Sequence, residues 1–438
     1  MRVSLLLLLL LLASPALAQE PSARVLTLEE ALSRARELNP SLRAAAANTE
    51  AADARHDRAR SVLLPQLVGS ASYLRTTANF VPRPGQLPSN TNIALVPPSW
   101  DTFNFWTFGA TASILLYDFQ GSIDRLRGAK ETRRAFAERT RVAQLAVEFA
   151  VRDAFFRTRA QRDLVNVARE TLANNQRHVE QIQVFVEVGT RPEIDLAQVR
   201  TDLANARVQL VQAENAHAIA KANLRRAMGS EDAGDFDVAD QRLPPLEDER
   251  APLDKLLSRA MSDRPDVTAL ERDLRASQLA ESAAKGAFGP SLMGSSTLTD
   301  SGRELHDLRF NWNAGVQLNW AIVRGGATFA EVREAKANGR RVQADISQLR
   351  QTVRLQVEQA QLAVSAAEAV IEAAAEALAN AKARQQLAEG RYEAGVGNVI
   401  ELGDAQVALT QAEAQSVSAE YGLSLARAQL LSALGRTR

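Results

Sequence analysis

The chain repeats itself, and this repeat limits the possible folds more than any other feature of the sequence. With no gap, the stretch from Leu26 lies over the stretch from Ala251: Leu28 falls on Leu253, Ser33, Arg34 and Ala35 on Ser258, Arg259 and Ala260, and Pro40 on Pro265. Further on, Pro65 meets Pro290, Leu67 meets Leu292, and Gly69 and Ser70 meet Gly294 and Ser295. The halves also end alike, with Gly189 on Gly395, Ile194 on Ile400, Leu196 on Leu402, Leu203 on Leu409 and Ala206 on Ala412. Prolines and glycines held in register over such a span mark a tandem duplication. Whatever one half folds into, the other half must fold into as well. The stretch 230–252, rich in Asp, Glu and Pro, reads as the linker between the copies.

Proline placement then draws the helices. No proline lies between Pro98 and Pro192 and none follows Pro290, so two very long intervals lack the commonest helix breaker. In the second interval Val342, Ile346, Leu349, Val353, Val357, Ala360, Val364, Ala367, Ile371, Ala374, Leu378 and Ala381 step by threes and fours, the spacing of a coiled-coil seam. Aromatic residues make up only 5% of the chain and alanine is abundant, which suits close approach of helix axes. Each half is expected to hold a short helix (about Thr27 to Leu38; Leu253 to Ser262) and a second helix from Pro40 or Pro265. A strand beginning at Pro65 or Pro290 comes next, then a loop and an alternating strand ending near Tyr117 or Val323. A long helix runs on to Gly189 or Gly395, and a last helix returns from Glu193 or Val399. At roughly 65 to 70 residues and ~1.5 Å rise per residue each long helix would reach about 100 Å. Tubes and rods hold such helices; globular domains rarely do.

The strands carry the second message. In FNWNAGVQLNW, Phe310, Trp312, Ala314, Val316, Leu318 and Trp320 share one parity and Asn311, Asn313, Gly315, Gln317 and Asn319 the other. FWTFGATASILLY repeats the device with Trp106, Phe108, Ala110, Ala112, Ile114 and Leu116. Period two predicts strands with one oily and one wet face. The loops Arg75 to Asp101 and Thr299 to Leu308 join them into one hairpin per half. Four strands cannot close around a lumen, and an open edge in hydrocarbon leaves N–H and C=O groups without partners, so several copies are expected to share one barrel. Trp312 and Trp320 stand ~26 Å apart at ~3.3 Å per residue, close to the ~25 Å apolar band of a membrane barrel. Trp100, Trp106, Phe108, Phe310, Trp312 and Trp320 are therefore expected at the membrane interfaces, with the asparagine-rich face toward water. A soluble β-sandwich strand would alternate in the same way; the tryptophan spacing and the neighbouring rods favour lipid.

Residues 1–18 read as a secretory signal peptide: Arg2, an apolar run from Leu5 to Leu12, and Ala16-Leu17-Ala18 before the cut. The run is too short to span a bilayer. The 438 residues include no cysteine, which removes disulfides, thiolate metal sites and cysteine-linked lipid. His56, His178, His217 and His306 are scattered without ligand spacing, so no metal is expected. Gly395-x-Gly397 follows a helix and lacks the third glycine of a dinucleotide loop, and no G-x-S-x-G elbow occurs. No cofactor, no catalytic residue and no enzymatic activity are expected. Formal charge is zero, with arginines interleaved among acids, which excludes a nucleic-acid partner.

Together these features resemble the outer-membrane efflux protein family, the TolC-like exit ducts of tripartite pumps and type I secretion systems. The resemblance is carried by Asn39-Pro40 and Arg264-Pro265, by Pro65 and Pro290, by Val188-Gly189-Thr190 with Asp195, and by Tyr392-Glu393-Ala394-Gly395 leading to Ile400, Glu401, Leu402 and Asp404. It implies a mainly α fold with a membrane β-barrel portion: a homotrimer whose twelve-stranded barrel, four strands per chain, continues into a twelve-helix coiled-coil tunnel. The first repeat would span 19–229 (hairpin about 66–118, long helix to 188, return helix 193–229). The second would span 253–438 (hairpin about 291–323, long helix to 395, return helix 399–434).

Such a protein sits in the outer membrane of a Gram-negative bacterium, in contact with its lipid, and conducts substrates passively. A periplasmic adaptor (membrane fusion) protein and an inner-membrane transporter engage its lower end. The resemblance assigns adaptor docking to two tip turns, Val188, Gly189, Thr190, Arg191 and Pro192, and Ala394, Gly395, Val396, Gly397 and Asn398. It assigns a tip constriction to Glu401 and Asp404, whose bland reading is first-turn acids on the helix dipole. Members with a gating network place an arginine two residues past the second tip glycine, where this chain has Gly397; its partners would be Asp195 and Tyr392, with Arg191 as the candidate replacement. The rival readings are a periplasmic coiled-coil adaptor or scaffold, which should carry soluble β-domains, and a diffusion porin, which needs more strands and no long helices.

Overall fold

The computed structural model describes residues 24–77, 79, 99–231 and 234–437; the expected signal peptide and most of the first hairpin loop lie outside them. In chain order the elements are β1 (Arg24–Leu26), α1 (Leu28–Leu38), α2 (Pro40–Ser61), β2 (Gln66–Thr77), β3 (Thr102–Tyr117), α3 (Gly121–Glu187), α4 (Glu193–Met228) and β4 (Phe236–Val238). They are followed by α5 (Leu253–Asp263), α6 (Pro265–Gly286), β5 (Ser291–Gly302), β6 (Arg309–Asn319), α7 (Ala327–Glu393) and α8 (Val399–Ala433). The duplication is visible in the lengths: α2 and α6 have 22 residues each, β2 and β5 have 12 each, and α3 and α7 have 67 each. Every residue of the predicted seam on α7 is buried or half-buried, and none is exposed. β6 stops at Asn319, short of the predicted Val323. There the indole of Trp320 donates to the carbonyl of Phe288 at 3.0 Å and the chain turns away from the sheet.

Two compact units emerge. One, formed by Arg43–Ala143 and Leu257–Leu355, holds all four long strands. They form one antiparallel sheet in the order β2-β3-β5-β6. Directly paired residues share a face, so the register decides what each face carries. Tyr73 pairs with Trp106, Ala71 with Phe108, and Leu67 with Ala112. Phe108 pairs with Asp300, Ala110 with Leu298, and Ile114 with Gly294. Asp300 pairs with Phe310, Leu298 with Trp312, and Leu292 with Leu318. The two oily parities read from β3 and β6 therefore fall on the same side of one sheet, joined by Tyr73, Leu67, Leu292 and Leu298 from the other strands. The opposite face carries Ser70, Ser72, Thr107, Thr111, Thr297, Thr299, Asn311 and Asn313; the hydroxyls of Thr111 and Thr297 meet at 3.2 Å.

The second strand of each hairpin, β3 or β6, runs into a long helix through two consecutive left-handed residues. After β6 these are Gly325 (φ 58°) and Gly326 (φ 87°); after β3 they are Phe119 (φ 55°) and Gln120 (φ 69°). Glycine adopts this conformation freely, whereas a side chain costs roughly 1–2 kcal/mol per residue. Packing holds the strained pair in place. The Phe119 ring lies so close over Gly289 that a Cβ there would come within 2.2 Å of it, and Asp118 caps the helix by accepting from the Ser122 amide at 2.7 Å.

The other unit, formed by the described residues up to Leu42 with Gln144–Leu256 and Gln356 onward, is helical around a core of Leu26, Ala31, Leu32, Val151, Phe155, Phe156, Leu224, Met228, Val238 and Leu431. Part of the linker takes regular structure. Its β4 pairs in parallel with β1, setting Leu26 opposite Val238, and Thr27 then starts α1 with a reciprocal capping box to Glu30. Arg427 of α8 reaches into the linker and meets Glu249 through Nε at 3.1 Å and Nη2 at 3.0 Å, while its Nη1 donates to the carbonyl of Leu243 at 3.0 Å.

Candidate functional site

The two tip turns are built alike. Past α3, Gly189 (φ 75°) donates to the carbonyl of Val186 at 3.0 Å and Thr190 to that of Phe185 at 2.9 Å. Past α7, Gly395 (φ 76°) donates to the carbonyl of Tyr392 at 3.1 Å and Val396 to that of Arg391 at 3.0 Å. This is the Schellman arrangement, in which a left-handed glycine lets the chain satisfy the last helical carbonyls and reverse. Thr190 adds its hydroxyl to the Phe185 carbonyl at 2.8 Å. Pro192 precedes α4 without a side-chain cap, whereas Asn398 caps α8 by accepting from the Glu401 amide at 2.7 Å. Both turns expose apolar side chains: Val188 and Val396, and Ile194 and Ile400 at the same place in the two return helices.

Behind the turns lies a small core of Ile182, Val199, Ala388, Tyr392, Val399, Leu402 and Ala405, with Phe185 and Leu196 packed against it. Tyr392 is 2% exposed. Burial pushes its phenol upward, the positive charge of Arg191 pulls it down, and the charge of Asp195 raises it again. The guanidinium of Arg191 lies 4.6 Å from the centre of the Tyr392 ring and donates to the carbonyl of Gly397 at 3.3 Å. Arg191 stands two residues past the first tip glycine, just as Gly397 stands two past the second. The arginine missing at 397 thus has a counterpart on the other turn that reaches back to that same residue. The structure brings together Arg191, Tyr392 and Gly397. Asp195 joins them only through its charge, because the Tyr392 hydroxyl has no hydrogen-bond partner among the described residues.

The two candidate constriction acids differ. Glu401 forms an ion pair with Arg391 at 3.2 Å, half-exposed on both sides. Asp404 is exposed and makes no ion pair among the described residues. Arg391 was not singled out from the sequence, although a basic residue in the last turn of a helix is a recognisable signal.

The interface aromatics form two groups along the oily face. Trp106 lies against Tyr73 with ring centres 4.5 Å apart, Phe108 and Phe310 flank Asp300 in one row, and Trp312 donates from its indole to Ser296 at 3.0 Å. At the helix end of the sheet the indole of Trp320 reaches the carbonyl of Phe288, and Tyr117 and Phe119 meet edge-on at 6.1 Å. Phe310, Trp312, Val316, Leu318 and Trp320 are all between 55% and 80% exposed on the single chain. Trp100 lies outside the strands and is almost fully exposed. Tyr73, Tyr117, Phe119 and Phe288 escaped the sequence reading because neither β2 nor the junctions alternate cleanly.

The family model described as outer membrane efflux protein matches residues 31–230 and 256–436, one stretch in each repeat. The chain is similar to a probable efflux pump outer membrane protein, SepC, of Pseudomonas putida, at 28% identity over 419 residues covering 93% of this chain and 83% of the relative. Its fold is similar to that of the CmeC outer membrane channel of Campylobacter jejuni, with a TM-score of 0.81 at 20% identity over 93% of this chain and 85% of that one. A membrane protein from Pseudomonas aeruginosa shares the fold at a TM-score of 0.80 and 23% identity, over 93% of both chains.

Proposed function

From a chain that belongs to the outer membrane efflux protein family, we infer a homotrimeric exit duct that hands substrates from a periplasmic adaptor and an inner-membrane transporter to the cell exterior. The protein is an outer-membrane efflux channel protein. Assembly as a trimer is supported above all by the sheet, whose outer strands β2 and β6 each present an unpaired edge. In lipid such edges must be closed. Two copies would give eight strands, a barrel about wide enough for its side chains to fill; three copies of four give twelve and leave a lumen. The hydroxyl-and-amide face then lines water and the oily face meets acyl chains. Trp106, Phe108, Phe310 and Trp312 serve the outer interface and Trp320 the inner one. In detergent the purified protein is expected to run as three chains by light scattering, and a stable monomer would overturn the assembly.

The tip turns are the proposed adaptor contact, with Val188, Ile194, Val396 and Ile400 as the apolar surface it covers. At the constriction the trimer would bring three Asp404 carboxylates around the axis. Glu401, already paired with Arg391, would contribute less charge. Like charges so placed attract multivalent cations. Asp404→Ala is expected to weaken block by a trivalent hexamminecobalt ion roughly ten-fold in planar bilayers; Glu401→Ala alone should change it far less. Unchanged block in Asp404→Ala would remove the acidic ring.

A further inference from the structure

The wet face of the sheet is uneven along its length. From Gln66 and Ser113 to Ser72 and Thr107 it carries hydroxyls, amides and glycines with Val68, and among the described strand residues of that face the only charged one is Arg309, opposite Ser301 at the start of β6. This end of the sheet, where the hairpins turn, lies opposite the end from which the helices leave. Here the chemistry changes. Leu74 pairs with Phe105, and Phe103 stands one step further on the same face. The guanidinium of Arg303, just past β5, sits 4.3 Å from the centre of the Phe103 ring.

Among the described acids nearby, Asp101 just before β3 shares the parity of Phe103, and the others stand elsewhere. Glu304 is engaged by His306 at 3.0 Å in the turn, Asp307 lies in that turn, and Asp300 belongs to the oily face between Phe108 and Phe310. Arg75 is also on the oily side, where it donates to Thr102 at 2.9 Å. Arg309 has no carboxylate partner among the described residues.

We propose that Arg303 and Arg309, with Phe103 and Phe105, form a collar at the exit of the lumen that selects amphipathic anions, molecules pairing a carboxylate or sulfonate with an apolar body. The proposal rests on the reading above that the wet face lines a shared lumen. Guanidinium groups bind carboxylates and sulfonates through a planar fork of donors, and phenyl rings offer the adjoining apolar contact. Three copies would set six guanidinia against three Asp101 carboxylates on a wall whose described strand residues hold no other charge than Arg309, a net positive ring, and rings of arginine favour anion passage. Cations that pass the acidic tip would meet the opposite sign on leaving, whereas an anion with an oily body would find both its parts accommodated.

The absence of cysteine from the chain makes the test direct. A single thiol is placed on the wall below the collar as Asn313→Cys, and the trimer in proteoliposomes is labelled from outside with methanethiosulfonate reagents bearing either a sulfonate or a trimethylammonium group. After correction for intrinsic reactivity the sulfonate reagent should react faster, and that preference should fall roughly five- to ten-fold when Arg303 and Arg309 are both changed to Gln. Naphthalene sulfonate should slow the labelling, and Phe103→Ala with Phe105→Ala should relieve the slowing while leaving the charge preference in place. Labelling by both reagents with a ratio that the arginine changes do not move would overturn the collar and leave the lumen intact. A thiol reached only by a lipid-soluble maleimide would overturn the lumen, and the collar with it.

Discussion

Arg191→Ala is expected to raise the resting single-channel conductance of the trimer, because it removes a side chain that ties the first tip turn to the second. In the native tip its guanidinium covers the Tyr392 ring at 4.6 Å and donates to the Gly397 carbonyl at 3.3 Å. A partly desolvated cation–π contact contributes roughly 1–2 kcal/mol. Its loss should therefore shift the balance between closed and open tips by about ten-fold. Companion variants separate the causes. Tyr392→Phe keeps the ring and removes a hydroxyl that makes no hydrogen bond among the described residues, so it should leave conductance unchanged. Tyr392→Leu removes the ring and should behave like Arg191→Ala. If Arg191→Ala and Tyr392→Leu both give wild-type currents, the tip is closed by something other than this contact.

Glu249→Ala is expected to lower the thermal midpoint of helix unfolding by roughly 5 °C. The side chains of Glu249 and Arg427 are only 5% and 11% exposed, and the pair is bidentate. Breaking a buried pair from one side leaves an uncompensated charge in a poor solvent for it, at a cost of about 3–5 kcal/mol. The partner left behind keeps only the Leu243 carbonyl at 3.0 Å and a distant Glu368 at 3.9 Å. Replacing both, as Glu249→Leu with Arg427→Met, should restore most of the loss, since an apolar pair of similar size avoids the desolvation cost. Circular dichroism at 222 nm follows the transition. A single variant as stable as the wild type would mean that water reaches the guanidinium after all.

Both predictions concern contacts between residues far apart in sequence, and that is where reading the chain alone stopped. The α7 seam from Val342 to Ala381 was legible because each step depends on the helix's own period, and all twelve positions are buried or half-buried in the structure. The alternation of Phe310 to Leu318 was legible for the same reason. The tip glycines 189 and 395 were legible because a left-handed turn after a helix demands them, and their φ values of 75° and 76° agree. By contrast, nothing local says that Asp300 sits between Phe108 and Phe310, or that Phe236 to Val238 pair with β1. The stretch 230–252 read only as a linker, because a three-residue strand carries too few alternations to register.

The candidate site divides along the same line. Gly395 could be placed from the turn a helix end requires, which reaches only a few residues along the chain, whereas Asn398, Glu401 and Asp404 came with the family resemblance. Arg191 could be named as a replacement, but that its side chain lands on Tyr392 and Gly397 follows from two helix pairs packing side by side. Arg391, the partner that separates Glu401 from Asp404, pairs with Glu401 across the turn only in the folded chain.

From the sequence alone came the number of repeats, the type and approximate length of the helices and of the four long strands, and which residues share a face of one strand or helix, because these follow from backbone periods of two and 3.6 that any stretch displays by itself. Strand register, the joining of two oily faces into one, and the pairing of charges across the tip and the linker waited for the tertiary structure. Those depend on which surfaces meet, and many pairings satisfy the same local pattern until packing and hydrogen bonding select one.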